Sequence, residues 1–398
     1  MRAKALFVSL IASIVVIGML AVPLANAAPP NKAQWRYILY LDADNSLDVY
    51  AGAHHEPVVE SDFNELMSVG STKDVAMFVF ADRAAGPANL FKVNKGSMTE
   101  LTGFALDGKE ANMGDPATLR ALVTYVYKLQ PAEKTLLMFW DHGSPRIIAS
   151  DDHPSDDLTH NEVIQALRGF HVDVMGADEC NVAQVDVAYE YRAGGLDLQY
   201  LLASETYTGW RGYPYDATLA RMVADPQMTP RELAVMFIEE VSKLLSQNPY
   251  GGEETNCHAA IDMSQVEPLV SSLMDLTKLL SADMKANAGL VSKARGGACF
   301  SYATNAINVV DLKTFVEIVG ANAASKTITD QCAKVIAIFD QTVIALQATQ
   351  TVDHQLYGLG IVFPNHSWEV SSYYWDYAIV EAGWGDFLYA YWSAAGSV

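Results

Sequence analysis

Short runs of apolar and β-branched residues alternate with segments of helical period along this chain, and this alternation constrains its fold most strongly. Runs of this kind, separated by helices, predict a parallel sheet that is covered on both faces. The predicted strands are Trp35–Asp42, Val75–Ala81, Thr135–Trp140, Val172–Gly176 and Gln199–Ala203. The sequence therefore predicts an α/β protein of three layers, with helices flanking a mostly parallel central sheet.

Helix start signals lie between and after these strands. Pro116 follows Asp115 at a first helical position, and capping boxes begin at Thr159 and Thr229. The helix from Thr229 is predicted to extend to about Gln247. A further helix is predicted to start at Cys180 and to run to about Tyr191.

The segment Asn248-Pro249-Tyr250-Gly251-Gly252 interrupts the pattern, and we place a domain boundary there. A catalytic domain is expected over 28–250 and a C-terminal subdomain over 251–398. In the latter, helices are predicted near 265–287 and 329–346. A strand over 359–363 can return to the central sheet.

The first 27 residues read as a secretory signal. Arg2 and Lys4 precede an apolar run from Ala5 to Val22, and Ala25-Asn26-Ala27 offers small residues for cleavage. The apolar run is short for a bilayer span, which needs about 17–25 residues. We therefore expect an exported protein, secreted or held at the cell envelope, whose mature chain has no membrane span.

Charge and cysteine content exclude several classes of protein. The formal net charge of −21 predicts a surface that repels nucleic acid and favours cationic ligands. Four cysteines are too few and too widely spaced for a disulfide scaffold or a zinc site. The sequence allows one disulfide bond among Cys257, Cys299 and Cys332. It determines neither which two of these cysteines pair nor the oligomeric state.

Residues with reactive side chains follow two of the predicted strands. Thr135–Trp140 is followed by Asp141-His142-Gly143, and Val172–Gly176 is followed by Ala177-Asp178-Glu179-Cys180. Loops at the carboxyl ends of parallel strands converge on one crevice. Because a single helix separates the two strands, a right-handed crossover would make the two strand ends neighbours.

This pair of strand ends predicts a nucleophilic thiol with a base. A cysteine has a pKa of about 8.5 and needs help to ionise at neutral pH. The predicted helix start at Cys180 and an imidazolium at His142 would both favour the thiolate. Gly143 lacks a Cβ, so its N–H, together with the N–H of Cys180, is a candidate oxyanion donor.

Further motifs occur around these strand ends in a fixed order. They are Tyr40-Leu41-Asp42-Ala43-Asp44-Asn45-Ser46-Leu47, Phe80-Ala81-Asp82-Arg83, Asp151-Asp152 with Leu158-Thr159, Ala203-Ser204-Glu205, Gly212-Tyr213-Pro214-Tyr215 and Gly358-Leu359-Gly360-Ile361-Val362-Phe363-Pro364. In this order and spacing they resemble the clostripain family of cysteine peptidases. The resemblance extends over most of the mature chain.

The resemblance implies a caspase-like fold and a catalytic dyad, which falls on His142 and Cys180. It also implies peptide or protein substrates with Arg or Lys before the cut bond. The family's acidic residue two before the nucleophile falls on Asp178, at the base of the specificity pocket, where it would pair with the substrate cation. The wall of that pocket would come from Ala203, Ser204 and Glu205.

The chain departs from the family pattern in two places. Glu179 stands where a small residue is usual, which makes it an alternative to Asp178 as the acidic residue of the pocket. After the His-Gly pair, Ser144-Pro145-Arg146 replaces a second glycine and a Trp. These changes leave the dyad intact but put the shape of the pocket in question.

The resemblance also implies that internal cleavage and calcium ions control the activity of some family members. Some members are cut internally after a basic residue, for which Arg146 and Arg168 are the candidates here. Some members depend on calcium, although the dyad chemistry itself requires no cofactor. Weak calcium candidates with hard oxygen ligands are Asp151, Asp152, Asp156 and Asp157.

Two other functions remain open from the residues. The first is a metal-dependent hydrolase that uses His54, His55, Glu56 and Glu60, although this group lacks a known ligand spacing. The second is an exported binding module that keeps the fold with an inactive dyad.

Overall fold

The computed structural model describes residues 32–49, 58–209, 211–247, 256–299, 309–349 and 356–396. Residues 31–398 form one compact unit. The predicted signal over 1–27 and the residues His54, His55 and Glu56 lie outside the described residues. No helix in the described ranges is long and apolar enough to cross a membrane.

The bounds of the elements are as follows. The strands are β1 (Ala33–Ala43), β2 (Val75–Arg83), β3 (Asn89–Asn94), β4 (Ser97–Glu100), β5 (Ala132–Trp140), β6 (Ile147–Asp151), β7 (Asp156–Thr159), β8 (His171–Asp178), β9 (Asp197–Ser204), β10 (Cys257–Asp262), β11 (Val309–Asp311), β12 (Val343–Ala348) and β13 (Gly360–Val362). The helices are α1 (Ser46–Val49), α2 (Val58–Val69), α3 (Pro116–Leu129), α4 (His160–Leu167), α5 (Val185–Ala193), α6 (Tyr215–Ala224), α7 (Pro230–Ser246), α8 (Val266–Ser281), α9 (Met284–Ala298), α10 (Leu312–Asn322), α11 (Lys326–Thr342) and α12 (Gly385–Ala395).

A nine-stranded sheet organises the chain in the order β12-β10-β9-β8-β5-β1-β2-β3-β4. Its centre, from β9 to β2, is parallel, and the strands outside this centre are antiparallel to their neighbours. The central strands are apolar on both faces because helices cover both faces. The predicted α/β class with a mostly parallel sheet is confirmed.

Each face of the sheet packs against its own helices. Along β1, Ile38 and Tyr40 face one hydrophobic core, which includes apolar side chains of α3, α4, α5 and α8. Tyr37, Leu39 and Leu41 face the other, which includes side chains of α2, α6 and α7. The alternation along one strand follows from the two-residue period of side-chain direction and produces the three predicted layers.

The C-terminal half differs from the prediction in its elements. The helix expected near 265–287 is two helices, because Asp283 interrupts it and caps α9 by accepting a hydrogen bond from the Ala286 N–H. The helix expected near 329–346 ends at Thr342. The residues after it form β12, which pairs with β10 at the edge of the central sheet.

The central sheet also crosses the predicted boundary near residue 250. Both β10 and β12 belong to it. The strand predicted over 359–363 exists as β13, but it pairs with β11 in a separate two-stranded sheet. A bridge between Gln184 and Gly360 and a hydrogen bond from the Val362 N–H to Asp186 link it to the segment after β8. The predicted return of this strand to the central sheet is therefore corrected.

Candidate active site

The two strand ends selected from the sequence are neighbours. β5 and β8 pair in parallel, and Trp140 lies opposite Asp178. His142 and Cys180 each follow this pair by two residues. The adjacency expected from a right-handed crossover is confirmed, and it comes from the register of the sheet.

Gly143 brings the two loops into contact. A Cβ placed on Gly143 would lie 2.7 Å from the carbonyl oxygen of Cys180 and 2.7 Å from the Cβ of Glu179. Such distances are well inside van der Waals contact, so any side chain here would push the loops apart. The glycine therefore allows the His142 loop to approach the Cys180 backbone.

His142 is held by a residue that the sequence did not single out. Its Nε2 lies 2.9 Å from the hydroxyl oxygen of Ser46. The residue has exposed surface, but burial of the imidazole lowers the pKa of His142, an effect that Asp152 partly offsets. Ser46 belongs to the first of the motifs quoted above, which was its available signal in the sequence.

A hydrogen-bond network fixes the base of the His142 loop. Asn45 donates through Nδ2 to Asp141 Oδ1 (2.7 Å) and to the carbonyl of Ser150 (3.0 Å). The Ser150 N–H donates to the other carboxyl oxygen of Asp141. Burial raises the pKa of Asp141 well above its usual range. The segment that carries Ser46 is thereby tied to the segment that carries His142.

Cys180 is half-buried and forms no disulfide. The helix predicted to begin there begins at Val185 instead. Asn181 has φ +59°, its N–H donates to the Thr206 carbonyl (2.7 Å), and the Ala183 N–H donates to the Ser204 carbonyl (2.8 Å). Because this segment pairs with the chain after β9 before it turns into a helix, the expected helix dipole at Cys180 is corrected.

Another group approaches the sulfur. The Thr208 N–H donates to Cys180 Sγ at 3.4 Å, and the Thr208 hydroxyl donates to the Glu179 carbonyl at 2.6 Å. Nothing in the sequence pointed to Thr208.

Asp178 lies in the interior, 6% exposed. Its Oδ2 accepts from the Tyr213 N–H (2.9 Å) and the Tyr215 hydroxyl (2.8 Å). Its Oδ1 has no hydrogen-bond partner among the residues that the structure describes. Burial raises the pKa of Asp178 to about 6, although the two hydrogen bonds act against it.

Glu179 is buried as well, and neither of its carboxyl oxygens has a hydrogen-bond partner within the described ranges. Burial, followed by the charges of Asp141 and Asp178, raises the pKa of Glu179 well above its usual range. Both effects favour the neutral form of the Glu179 side chain. Two adjacent buried carboxyl groups thus precede Cys180, and they differ in that Asp178 accepts hydrogen bonds from described residues whereas Glu179 does not.

The predicted pocket wall has a different role. Ala203, Ser204 and Glu205 are each 0% exposed. The Ser204 hydroxyl donates to the carbonyl of Cys257 (3.1 Å), and Glu205 accepts from the Gly358 N–H (2.8 Å). Their side chains therefore lie in the interior instead of on an open wall, and the loop after them contacts Cys180.

Comparison with known proteins agrees with this arrangement. The model of the clostripain family matches residues 39–392. The chain belongs to the clostripain family. This is a family of cysteine peptidases, as the order of the motifs predicted.

The individual relatives are distant. Clostripain of Hathewaya histolytica is 26% identical in an alignment of 226 residues that covers 47% of this chain and 42% of that protein. A secreted C11 cysteine protease from Bacteroides thetaiotaomicron, solved with an irreversible peptide inhibitor, has a TM-score of 0.66 and 16% identity, covering 91% of this chain and 99% of that one. An inactive zymogen C11 protease from Parabacteroides distasonis has a TM-score of 0.66 and 18% identity, covering 88% and 98%. At these identities the solved structures show the shared fold.

In this clostripain-family chain Asp151 and Asp157, two of the four calcium candidates, have protein partners. Asp151 accepts from the Met113 N–H (2.7 Å) and the His153 N–H (2.9 Å), and Asp157 pairs with Arg146 (3.0 Å). They line a polar cavity of about 380 Å³ with Ser150, Asp152, Ser155, Asp156, Thr159 and Glu162. Across the described ranges, no three His, Cys, Asp or Glu side chains are grouped to hold a metal.

Among the four residues of the metal-hydrolase hypothesis, the structure describes Glu60, and its carboxylate already has a partner. Glu60 forms an ion pair with Arg83 (2.7 Å), and Arg83 also contacts Asp48. The His54, His55 and Glu56 part of that hypothesis lies outside the described residues.

The two candidate self-cleavage residues lie at different ends of the sheet. Arg146 follows the His142 loop, is exposed, and its guanidinium lies 5.6 Å from the ring centre of Tyr373. Arg168 follows α4 and precedes β8, so it lies at the opposite end of the sheet from Cys180. Only Arg146 is near the candidate active site.

Proposed function

We propose that this protein is an exported cysteine endopeptidase that hydrolyses peptide bonds after Arg or Lys. The observation that carries the proposal is the contact between the His142 loop and Cys180 beside a buried carboxylate, Asp178, with an oxygen that lacks a described partner. Membership in the clostripain family supports the same chemistry. The dyad requires no cofactor.

In the acylation step, His142 accepts the proton of the Cys180 thiol, and the sulfur attacks the substrate carbonyl carbon. The carbonyl oxygen becomes an oxyanion, for which the N–H groups of Gly143 and Cys180 are the proposed donors. When the C–N bond breaks, His142 returns the proton to the departing amine. The product is a thioester between Cys180 and the N-terminal part of the substrate.

In the deacylation step, His142 takes a proton from a water molecule that attacks the thioester carbonyl. Collapse of the second oxyanion breaks the C–S bond, and the thiolate recovers its proton. The lowered pKa of His142 supports this role, because a neutral imidazole can act as a base at pH 7.

Selectivity for a basic side chain rests on Asp178. An ionised carboxylate oxygen without a partner in a desolvated site is costly, and a substrate guanidinium or ammonium would satisfy it. Two hydrogen bonds favour the charged form of Asp178, whereas burial without such bonds favours the neutral form of Glu179. We therefore assign the charge that recognises the substrate to Asp178 and a supporting contact to Glu179.

Internal cleavage after Arg146 is part of the proposal. The residue is exposed and close in sequence to His142. Gel analysis of purified wild type against Cys180→Ala is expected to show cut and uncut chains respectively. Mass spectrometry then identifies the cut bond, and an uncut chain in both proteins would remove this part of the proposal.

The decisive experiment is a panel of short fluorogenic peptides ending in Arg, Lys, Asp, Asn or Leu. We expect hydrolysis of the Arg and Lys peptides by wild type, and a loss of at least about a thousandfold in Cys180→Ala and His142→Ala. Lys278→Ala is the control, because this exposed side chain on α8 has no proposed chemical role. Hydrolysis that survives in Cys180→Ala would refute the dyad, and binding of peptides without turnover would favour an inactive binding module.

A further inference from the structure

The loop after β9 closes over the nucleophile from the side opposite the His142 loop. Thr208 is half-buried in this loop. Its N–H lies 3.4 Å from Cys180 Sγ, and its hydroxyl lies 2.6 Å from the carbonyl oxygen of Glu179. One residue thus touches the nucleophilic sulfur with its backbone and the preceding peptide group with its side chain.

We propose that Thr208 stabilises the Cys180 thiolate by donating its backbone N–H to the sulfur, and that its hydroxyl holds this N–H in position. The inference deepens the proposed function, since it rests on Cys180 being the nucleophile. It identifies a positioning residue that neither the motifs nor the dyad required.

The geometry explains why such a donor is needed. α5 begins five residues after Cys180, at Val185, and the field of a helix dipole acts mainly within its first turn. The loops next to Cys180 carry His142 and Asp141 after β5 and Asp178 and Glu179 after β8. The pKa of Asp178 is raised to about 6, so its carboxylate is charged at neutral pH and opposes a thiolate. An N–H aimed at the sulfur compensates for this charge.

The loop is rigid enough to fix this contact. The Glu205 N–H donates to the Cys257 carbonyl (2.7 Å), and Gln184 donates to the Glu205 carbonyl (3.1 Å). The Ser204 hydroxyl lies 3.3 Å from the Tyr207 carbonyl. These hydrogen bonds fix the loop on the N-terminal side of Thr208, and the hydroxyl of Thr208 adds a contact that orients its own N–H.

The test measures thiolate formation separately from proteolysis. The rate of alkylation of Cys180 by iodoacetamide is followed as a function of pH, with mass spectrometry of the Cys180 peptide to separate it from Cys299. Thr208→Val keeps the shape and removes the hydroxyl, whereas Thr208→Ser keeps the hydroxyl. We expect the midpoint for Thr208→Val to move up by about one pH unit and that for Thr208→Ser to stay within about 0.3 unit of wild type.

Activity should follow the same shift. At a pH below the wild-type midpoint, kcat/KM of Thr208→Val is expected to be about tenfold lower and to recover as the pH rises. If Thr208→Val does not fold, as judged by thermal unfolding, Thr208→Ala removes the same hydroxyl with a smaller side chain.

The outcomes separate this inference from the proposed function. An unchanged alkylation midpoint in a folded Thr208→Val protein overturns the inference, whether or not its activity falls. A wild-type protein whose Cys180 is alkylated with a low midpoint that rises in Thr208→Val, but which cleaves no peptide, supports the role of Thr208 and overturns the proposed peptidase function.

Discussion

The ends of β8 and β9 lie side by side next to Cys180, yet their carboxyl groups are used differently. At the end of β8, Asp178 Oδ1 and both oxygens of Glu179 have no hydrogen-bond partner among the described residues. At the end of β9, Glu205 Oε2 accepts from the Gly358 N–H and the Cys257 thiol. Glu205 Oε1 also lacks a hydrogen-bond partner among the described residues, but this carboxyl group interacts with that of Asp311.

This difference separates a structural contact from a proposed binding site. Burial of Glu205 and the charge of Asp311 raise the pKa of Glu205 well above its usual range, which favours a proton shared between the two carboxyl groups. The pair links β9 to the segment around β11. We therefore expect Glu205, whose neighbour is another carboxyl group of this chain, to stabilise the fold, and Asp178 to bind a ligand that carries its own charge.

The largest expected effect is on the β8 side. Asp178→Asn removes the charge but keeps the shape, so kcat/KM for Arg and Lys peptides should fall about a hundredfold or more. Alkylation of Cys180 should not fall below its wild-type rate, because loss of the Asp178 charge favours the thiolate, and this result would show that the nucleophile is intact. Equal losses on the Arg and Leu peptides would mean that Asp178 supports the fold and not selectivity.

On the β9 side, substitution of Glu205 should change the free energy of unfolding. Glu205→Ala leaves the Gly358 N–H and Asp311 without their partner, and should lower the free energy of unfolding by about 2 kcal/mol. Glu205→Gln is the matched control, because its amide can replace both hydrogen bonds at nearly the same volume. Urea unfolding gives the stability, and a changed KM with unchanged stability would instead return Glu205 to the pocket wall.

The pH dependence of selectivity distinguishes the two sides further. Asp178 has a pKa raised to about 6, so its carboxylate is charged above pH 6 and becomes neutral as the pH falls below it. At pH 5 about one tenth of the carboxylate remains, and the ratio of kcat/KM for the Arg peptide to that for the Leu peptide should be about tenfold lower than at neutral pH. Because both peptides use the same dyad, titration of His142 and Cys180 cancels in this ratio. A ratio that is constant from pH 7 to pH 5 would contradict the assignment.

The smallest effect is expected at Glu179. If this residue is neutral near pH 7, Glu179→Gln replaces one neutral group with another, and kcat/KM should change by less than about threefold. The same peptide panel measures it. A loss on basic substrates as large as that of Asp178→Asn would make Glu179 the acidic residue of the pocket.

Where a pattern was local, the sequence predicted the structure well. The five predicted strands all exist, and the capping boxes at Thr159 and Thr229 start α4 and α7. Helix caps and strand runs are readable because the interacting groups are only a few residues apart. The helix expected to continue beyond Thr342 failed because pairing with β10, a distant segment, decided the conformation of β12.

The same distinction between local patterns and long-range contacts applies to the candidate site. Residue types at strand ends led to His142, Gly143 and Cys180, and the register of β5 and β8 brings them together. The roles of Ser46 and Thr208 were missed, because a hydroxyl or a backbone N–H has no sequence pattern that marks its partner.

By itself, the sequence determined the α/β class, the positions of the central strands and the two side chains of the candidate dyad, since each depends on periodicity or on residue type within a few positions. The tertiary structure decided which groups meet across the chain. Ser46 contacts His142 across 96 positions, and Thr208 contacts Cys180 across 28. It also decided that the Glu205 carboxyl group interacts with that of Asp311, whereas Asp178 has a carboxyl oxygen without a hydrogen-bond partner among the described residues. The physical reason is that burial and hydrogen bonding of a side chain depend on the groups packed around it. The same carboxyl group can therefore form a structural contact or a binding site, according to its surroundings.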